Sequence, residues 1–195
     1  MLSKHCETMF SGAPASFFNK DVSNAEQTFK ALRGTDLLED GYIAAENLDD
    51  IEAKEGKYIS KFLLQEGDVV LLARGQSMRS CIVTKDVAEQ HLIATANFIV
   101  LRLKSGQHGE FLVAYLNSPI GKQVLAGLSS STSLIKSIAL SGLKKLNISF
   151  PSLEKQKQIA DLFHANVAAQ RATQKLMDEQ NKTVEVKILN WLQEV

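Results

Sequence analysis

Long apolar runs, paired cysteines and catalytic signatures are all missing from this sequence, and each absence removes a class of function. No stretch of about 18 apolar residues occurs, so no helix is expected to span a membrane. Met1–Phe10 carries charges and has no continuous apolar core, which excludes a signal peptide there. The two cysteines, Cys6 and Cys81, match no zinc or redox spacing, and a reduced, cytoplasmic setting is expected. His5, His91, His108 and His164 fall singly, without the H-x-x-x-H pair of a metal site.

Nucleotide and catalytic loops are missing too. There is no G-x-S-x-G elbow and no phosphate-binding G-x-x-x-x-G-K-[ST] loop. The Gly-rich cofactor loop and acidic-Pro-Pro-aromatic motif of a DNA methyltransferase are also absent. Cys81 beside Arg79 has a neighbour able to lower a thiol pKa, but Ile82 and Val83 mark it as a buried strand residue. No catalytic residue, metal or cofactor is therefore expected.

What the chain does contain is an uneven charge distribution. Lys and Arg total 22, as do Asp and Glu, which looks wrong for a nucleic-acid binder. Yet eight of the acids fall between Asp36 and Glu55, opposed only by Lys54, and read as a solvated loop and strand surface. Residues 56–150 carry eleven bases against five acids, a net excess of six positive charges. A basic face and a mixed, solvated surface are both compatible with that count.

With 45% hydrophobic residues the chain can bury a core. Gly67-Asp68 signals a turn before the apolar run Val69–Ala73, a buried strand stopped by Arg74-Gly75. Cys81–Thr84 is its expected hairpin partner, and Phe98–Lys104 is a further strand ended by Ser105-Gly106. Phe111, Leu112, Tyr115 and Leu116 have helical spacing, and Ser118-Pro119 starts a second helix whose apolar face is Ile120, Val124, Leu125 and Leu128. A run of five hydroxyl residues follows, and Leu146–Phe150 alternates like a closing strand.

After Pro151 the texture changes. Residues 152–195 contain neither Pro nor Gly, and a seam with alternating steps of four and three runs through them. Its members are Gln156, Ala160, Phe163, Val167, Gln170, Gln174, Met177, Asn181, Val184, Ile188 and Trp191. A helix of this length is about 65 Å long at ~1.5 Å per residue. Ile159, Leu162 and Phe163 suit packing on the chain's own domain; the second half suits an intermolecular coiled coil, with Gln170, Gln174 and Asn181 setting register. The fold expected is α+β: a mixed domain over 1–151, then one long C-terminal coiled-coil helix over 152–195.

Three segments carry a family likeness. Gly67–Gly75 resembles the G-D-[IV]-[LV] strand and loop of type I restriction–modification DNA specificity subunits. Tyr115-Leu116-Asn117-Ser118 with Gly121 is similar to that family's YL-x-S-x-x-G segment. Pro151–Gln156 with Ile159 is similar to its P-x-L-x-E-Q-x-x-I helix opening. The likeness spans roughly 58–165 and rests on the order and spacing of the three. Lys155 departs from the family's usual Glu, a change expected to act on local electrostatics at the helix start. The usual subunit has two recognition domains and two long helices; this chain has one of each, as a natural half subunit or a truncated one would.

The resemblance implies a non-catalytic target-recognition domain that reads one half-site of double-stranded DNA. It also implies methyltransferase subunits docked on the chain and restriction subunits engaged through them, with no membrane partner. On that basis Arg74, Gln76, Ser77 and Arg79 are the first candidates for base reading, since Arg suits guanine and Gln suits adenine. Ser129, Ser130, Ser131, Thr132, Ser133 and Lys136 are candidates for phosphate contact, with Lys104 and Lys122 adding charge. Phe163, Val167, Gln170, Gln174, Met177, Asn181, Val184, Ile188 and Trp191 are the candidates for homodimerisation, the helix then serving as a ruler between half-sites. The competing reading is a coiled-coil dimeric protein-interaction scaffold that does not bind DNA.

Overall fold

The computed structural model describes residues 1–19, 28–129 and 136–193. The chain divides into two compact units, Met1–Ala160 and Asp161–Val195. The first unit contains β1 (Cys6–Ser11), β2 (Thr28–Leu32), β3 (Asp49–Glu52), β4 (Val69–Leu72), β5 (Arg74–Gly75) and β6 (Ser80–Ile82). It continues through α1 (Lys85–Ala88), β7 (Leu92–Ala94), β8 (Phe98–Leu103), α2 (Gly109–Asn117), α3 (Pro119–Leu128), β9 (Lys136–Ser137) and α4 (Leu140–Lys145). The last helix, α5 (Leu153–Gln193), begins in the first unit and makes up the described part of the second.

The principal sheet is antiparallel, in the order β1-β8-β4-β6. All four residues of β4 are buried, as the uninterrupted apolar run predicts for a strand covered on both faces. Because side chains alternate, Val70, Leu72 and Cys81 enter one core with Phe98, Val100, Leu32, Leu37, Leu64 and Leu92. On the opposite face α2 seats its first turn on Val69 and Ile82. A Cβ at Gly109 would stand 2.5 Å from Ile82 Cδ1, so only glycine permits that approach. A second sheet, β3-β2-β7, pairs β2 antiparallel to β3 and parallel to β7. A third consists of β5 and β9 alone, with Arg74 opposite Ser137 and Gly75 opposite Lys136.

Polar side chains lock these elements together. Asp68, 1% exposed, accepts from Arg102 Nε (2.8 Å) and Nη2 (2.7 Å) and from the Gln65 amide (2.9 Å). Its charged partner thus comes from the neighbouring strand β8 and not from Arg74 at the end of its own strand. The hydrogen bonds that Arg102 donates to Asp68 raise the Arg102 pKa against the opposing effect of its burial. Asn117 Oδ1 accepts from the Ser80 amide (2.9 Å) and hydroxyl (3.0 Å), while its Nδ2 donates to the Ser80 carbonyl (2.8 Å). Ser118 Oγ then caps α3 at the Gly121 amide (3.1 Å) and donates to the Tyr115 carbonyl (2.7 Å). A Cβ at Gly121 would lie 2.0 Å from that carbonyl oxygen, so this one-residue helix junction requires glycine. Gln156, 1% exposed, accepts from the His108 amide (3.2 Å) and donates to Gln107 Oε1 (3.0 Å) and the Pro151 carbonyl (2.9 Å).

Two expectations fail. Leu146–Phe150 is not a strand, although α4 just before it is a helix the sequence reading did not single out. Its alternating apolar residues are satisfied by docking instead. Leu146 O accepts from the Leu2 amide (2.7 Å), Ile148 is buried, and the Phe150 ring stacks on His5 with centroids 3.8 Å apart. Nor is the acidic segment uniformly solvated. Asp36 is buried and is held by Arg33 through its backbone amide (2.8 Å) and guanidinium (2.8 Å to Oδ1).

Replacing Asp68 with Ala leaves the Arg102 guanidinium, mostly buried, without its counter-charge, and should lower stability by roughly 3 kcal/mol. Urea unfolding of the variant against the parent checks this through the midpoint at unchanged slope. Burial pushes the Cys81 thiol up to about 12 and Cys6 up to about 11. Both are buried, so alkylation at pH 8 should be negligible in the native protein and complete in denaturant, as mass spectrometry will read directly.

Candidate nucleic-acid interface

The end of β4 that carries Leu72 leads through Ala73 into β5 and the reading-loop candidates. Backbone bonds fix this exit: the amides of Ala73 (2.9 Å) and Arg74 (3.1 Å) both donate to the Asn97 carbonyl. The Ile138 amide donates to the Ala73 carbonyl (2.9 Å), and Ser129 bridges Ile138. Two segments more than fifty residues apart in sequence are thus joined by the β5–β9 pairing. The sequence placed Arg74–Arg79 and Ser129–Lys136 on separate loops and held no signal that they meet, because a two-residue pairing has no periodicity to detect.

Their meeting creates a cleft of about 290 Å³ lined by Glu39, Gln76, Ser77, Met78, Arg79, Asn117, Lys122, Ala126 and Lys136. Four of the proposed contact residues, Gln76, Ser77, Lys122 and Lys136, line it from exposed positions. Arg74 is exposed on β5 and is not among the residues that line the cleft. Arg74, Lys122 and Lys136 make no ion pair among the described residues. Ser129 closes α3, with its hydroxyl buried and without a hydrogen-bond partner among the described residues. Ser130, Ser131, Thr132 and Ser133 lie outside the described residues.

Arg79 is placed differently from the other candidates. Only 26% of its side chain is exposed, and Nη1 donates to the Leu37 carbonyl (2.8 Å). Its Nη2 meets Ser77 Oγ (3.1 Å) and Glu39 Oε1 (3.1 Å), while Nε is buried without a partner among the described residues. Most of its donors hold the loop's shape, which leaves few for a ligand. Lys104 does not join the cleft. It follows the far end of β8, roughly 20 Å from the Phe98 end at ~3.3 Å per residue, where its amide donates to the His5 carbonyl (2.9 Å).

Residues that sequence reasoning missed are Glu39, Met78, Asn117 and Ala126. Asn117 was visible only as part of a family-like motif, and the motif's purpose is now clear. Asn117 ties α2 to β6 directly beside the cleft, while Ser118 and Gly121 start α3, which supplies Lys122. Among the described residues no group of three or more His, Cys, Asp or Glu side chains could hold a metal ion. None of the described helices is long and apolar enough to cross a membrane.

On α5, Phe163 is half-buried and Val167 buried; Gln170, Gln174, Met177, Asn181, Val184, Ile188 and Trp191 are all exposed. Leu176, Val186, Leu189 and Leu192 add to the apolar surface of its second half. The mean helix length in globular proteins is about 11 residues, so a helix of 41 residues with this much exposed apolar surface stands apart.

Solved structures share this fold. A chain from the structural work on complex assembly and conformational transition of the type I R–M system matches with a TM-score of 0.61 at 19% identity, over 94% of this chain and 42% of that one. The HsdS subunit from Thermoanaerobacter tengcongensis matches with a TM-score of 0.61 at 20% identity, over 95% and 45%. The S subunit of the type I restriction–modification system from M. genitalium matches with a TM-score of 0.50 at 16% identity, over 83% and 36%. The chain therefore spans less than half the length of these solved chains. No curated protein matches it. The sequence model of the type I restriction modification DNA specificity domain covers residues 15–181. That span takes in the Gly67–Gly75 strand and loop, the Asn117–Gly121 junction and the opening of α5, so the chain belongs to the type I restriction–modification DNA specificity family.

Proposed function

We propose that this chain is a non-catalytic, sequence-reading subunit of a type I restriction–modification assembly, each copy binding one half-site of double-stranded DNA. The observation that carries the reading is the β5–β9 pairing, which carries Arg74 on β5 and accompanies the gathering of Gln76, Ser77, Lys122 and Lys136 around one cleft. Arg74 and Gln76 are the base readers, since an exposed guanidinium matches guanine and an amide matches adenine in the major groove. Lys122 and Lys136 neutralise phosphates, and the hydroxyls that follow Ser129 donate hydrogen bonds to phosphate oxygens. Arg79 holds the loop. Chemistry on the DNA falls to methyltransferase subunits docked on the chain, with restriction subunits engaged through them.

The exposed seam on α5 supports pairing with a second copy. Trp191 is 67% exposed and Val184 56%, and two such seams in contact would bury both. The pair would set the separation of two recognition domains, and hence an unread spacer of several base pairs at ~1.7 Å of duplex per phosphate charge, or about 3.4 Å per base pair. The competing reading, a dimeric scaffold that binds only protein, draws on the neutral net charge. Retention of the chain on duplex DNA at low salt, and its release as salt rises, separates the two.

Arg74→Ala or Gln76→Ala should relax selection at one base pair by about 1–3 kcal/mol, read by competition among oligonucleotide variants. Lys136→Ala should instead weaken all sequences evenly and reduce the log–log salt slope by about 0.9. In light scattering the parent chain should have about twice its 21.5 kDa mass, and Val184→Asp with Ile188→Asp should return it to the monomer mass. A monomeric parent would remove the helix pair from the proposal.

A further inference from the structure

Glu39 is out of place in a cleft meant for a polyanion. It is the sole acidic side chain among the cleft's lining residues, beside Arg79, Lys122 and Lys136, and it is 79% exposed. Its position is fixed from behind. The segment Leu38–Tyr42 folds back on itself, with the Leu38 amide on the Tyr42 carbonyl (2.9 Å) and the Gly41 amide on the Leu38 carbonyl (3.2 Å). Gly41 takes a φ of 88°, a conformation open to glycine at little cost. The Ile82 amide then donates to the Gly41 carbonyl (2.9 Å), tying this turn to β6 beside the reading loop.

Stability gives no reason for a carboxylate there. An ion pair with so exposed a partner contributes little, and Arg79 is already anchored on Leu37 and Ser77. Facing DNA, however, the carboxylate has two distinct effects. It repels phosphate oxygens, and it can accept a hydrogen bond from the exocyclic amino group of cytosine, or of adenine, in the major groove. Its ion pair with Arg79 restricts the side chain, so the acceptor is presented in a restricted geometry.

We propose that Glu39 is a specificity-determining residue of the cleft, accepting from a base amino group while keeping phosphate away from Arg79. The inference rests on the DNA-reading function proposed above. Cationic walls attract any duplex; a single acid among them makes binding conditional on a base donor at one position, a repulsive element of the kind that selective sites require.

The test is competition binding of the full-length chain to a panel of duplexes, comparing Glu39→Ala with Glu55→Ala; alanine removes both the charge and the acceptor, whereas glutamine would keep an acceptor oxygen. Glu55 is exposed and outside the cleft lining, so the second variant makes the same charge change elsewhere. Glu39→Ala should bind random-sequence DNA several-fold more tightly than the parent and lose about tenfold in preference at one base pair, with Glu55→Ala resembling the parent. A uniform gain for preferred and random duplexes alike, or identical behaviour of the two variants, overturns the assignment. Arg79→Lys keeps the charge but loses the guanidinium geometry, and should reproduce the loss of preference in part; full preference in this variant counts against the restricted-acceptor role. A parent that binds DNA without any sequence preference defeats the DNA-reading function itself, which the parent's own panel records separately from either variant.

Discussion

A buried carboxylate at the head of β4 sets the geometry on which the cleft depends. Asp68 loses its hydration on folding, and recovers the cost only because Arg102 on β8 meets it with two charge-assisted hydrogen bonds and the Gln65 amide supplies a third. The pair fixes β4 against β8. A slip of one residue would turn Val70 and Leu72 out of their core and break the ion pair together. Since β4 runs directly into Ala73 and Arg74, the register set at Asp68 decides where the loop Gln76–Arg79 emerges.

Part of this core was legible in the sequence, because β4, β6, β8, α2, α3 and α5 each have a signal on their own scale; β1, β2, β3 and β7, short strands in mixed sequence, were not. The run Val69–Ala73 is apolar without interruption, Ser118-Pro119 marks a helix start, and the long helix lacks any breaker. The family-like motifs were legible as motifs, but their meaning was not. Asp68, Asn117, Ser118, Gly121 and Gln156 act as latches between elements, and which partner each latch finds is a matter of tertiary placement. Leu146–Phe150 misled because alternation records which side chains are buried, and here burial is achieved by a docked extended segment without ladder partners. The cleft was legible as two loops and illegible as one site. Its closure depends on β5 and β9, whose pairing involves two residues from each strand.

The long helix divides its labour along its length. Gln156 and Ala160 are buried, and the amide of Gln156 satisfies groups on the preceding loop and on Pro151, so the first two turns belong to the domain. Beyond Val167 the seam written in the sequence continues with exposed Met177, Val184, Ile188 and Trp191 side chains. Polar seam members at Gln170, Gln174 and Asn181 break that surface at intervals. In a paired helix such positions favour one alignment over its neighbours.

The β5–β9 pairing has a consequence for how such a protein can change its target. Main-chain hydrogen bonds hold the two walls of the cleft together, and main-chain bonds are indifferent to the side chains they carry. Arg74, Lys136 and Ser137 sit on that ribbon, while the anchoring is done by Asp68, Arg79, Asn117 and Gln156. Exposed side chains that take no part in that anchoring, such as Arg74, Gln76, Lys122 and Lys136, can therefore be exchanged without disturbing the framework that presents them, so the surface chemistry of the cleft can be rewritten by a few substitutions on an unchanged scaffold.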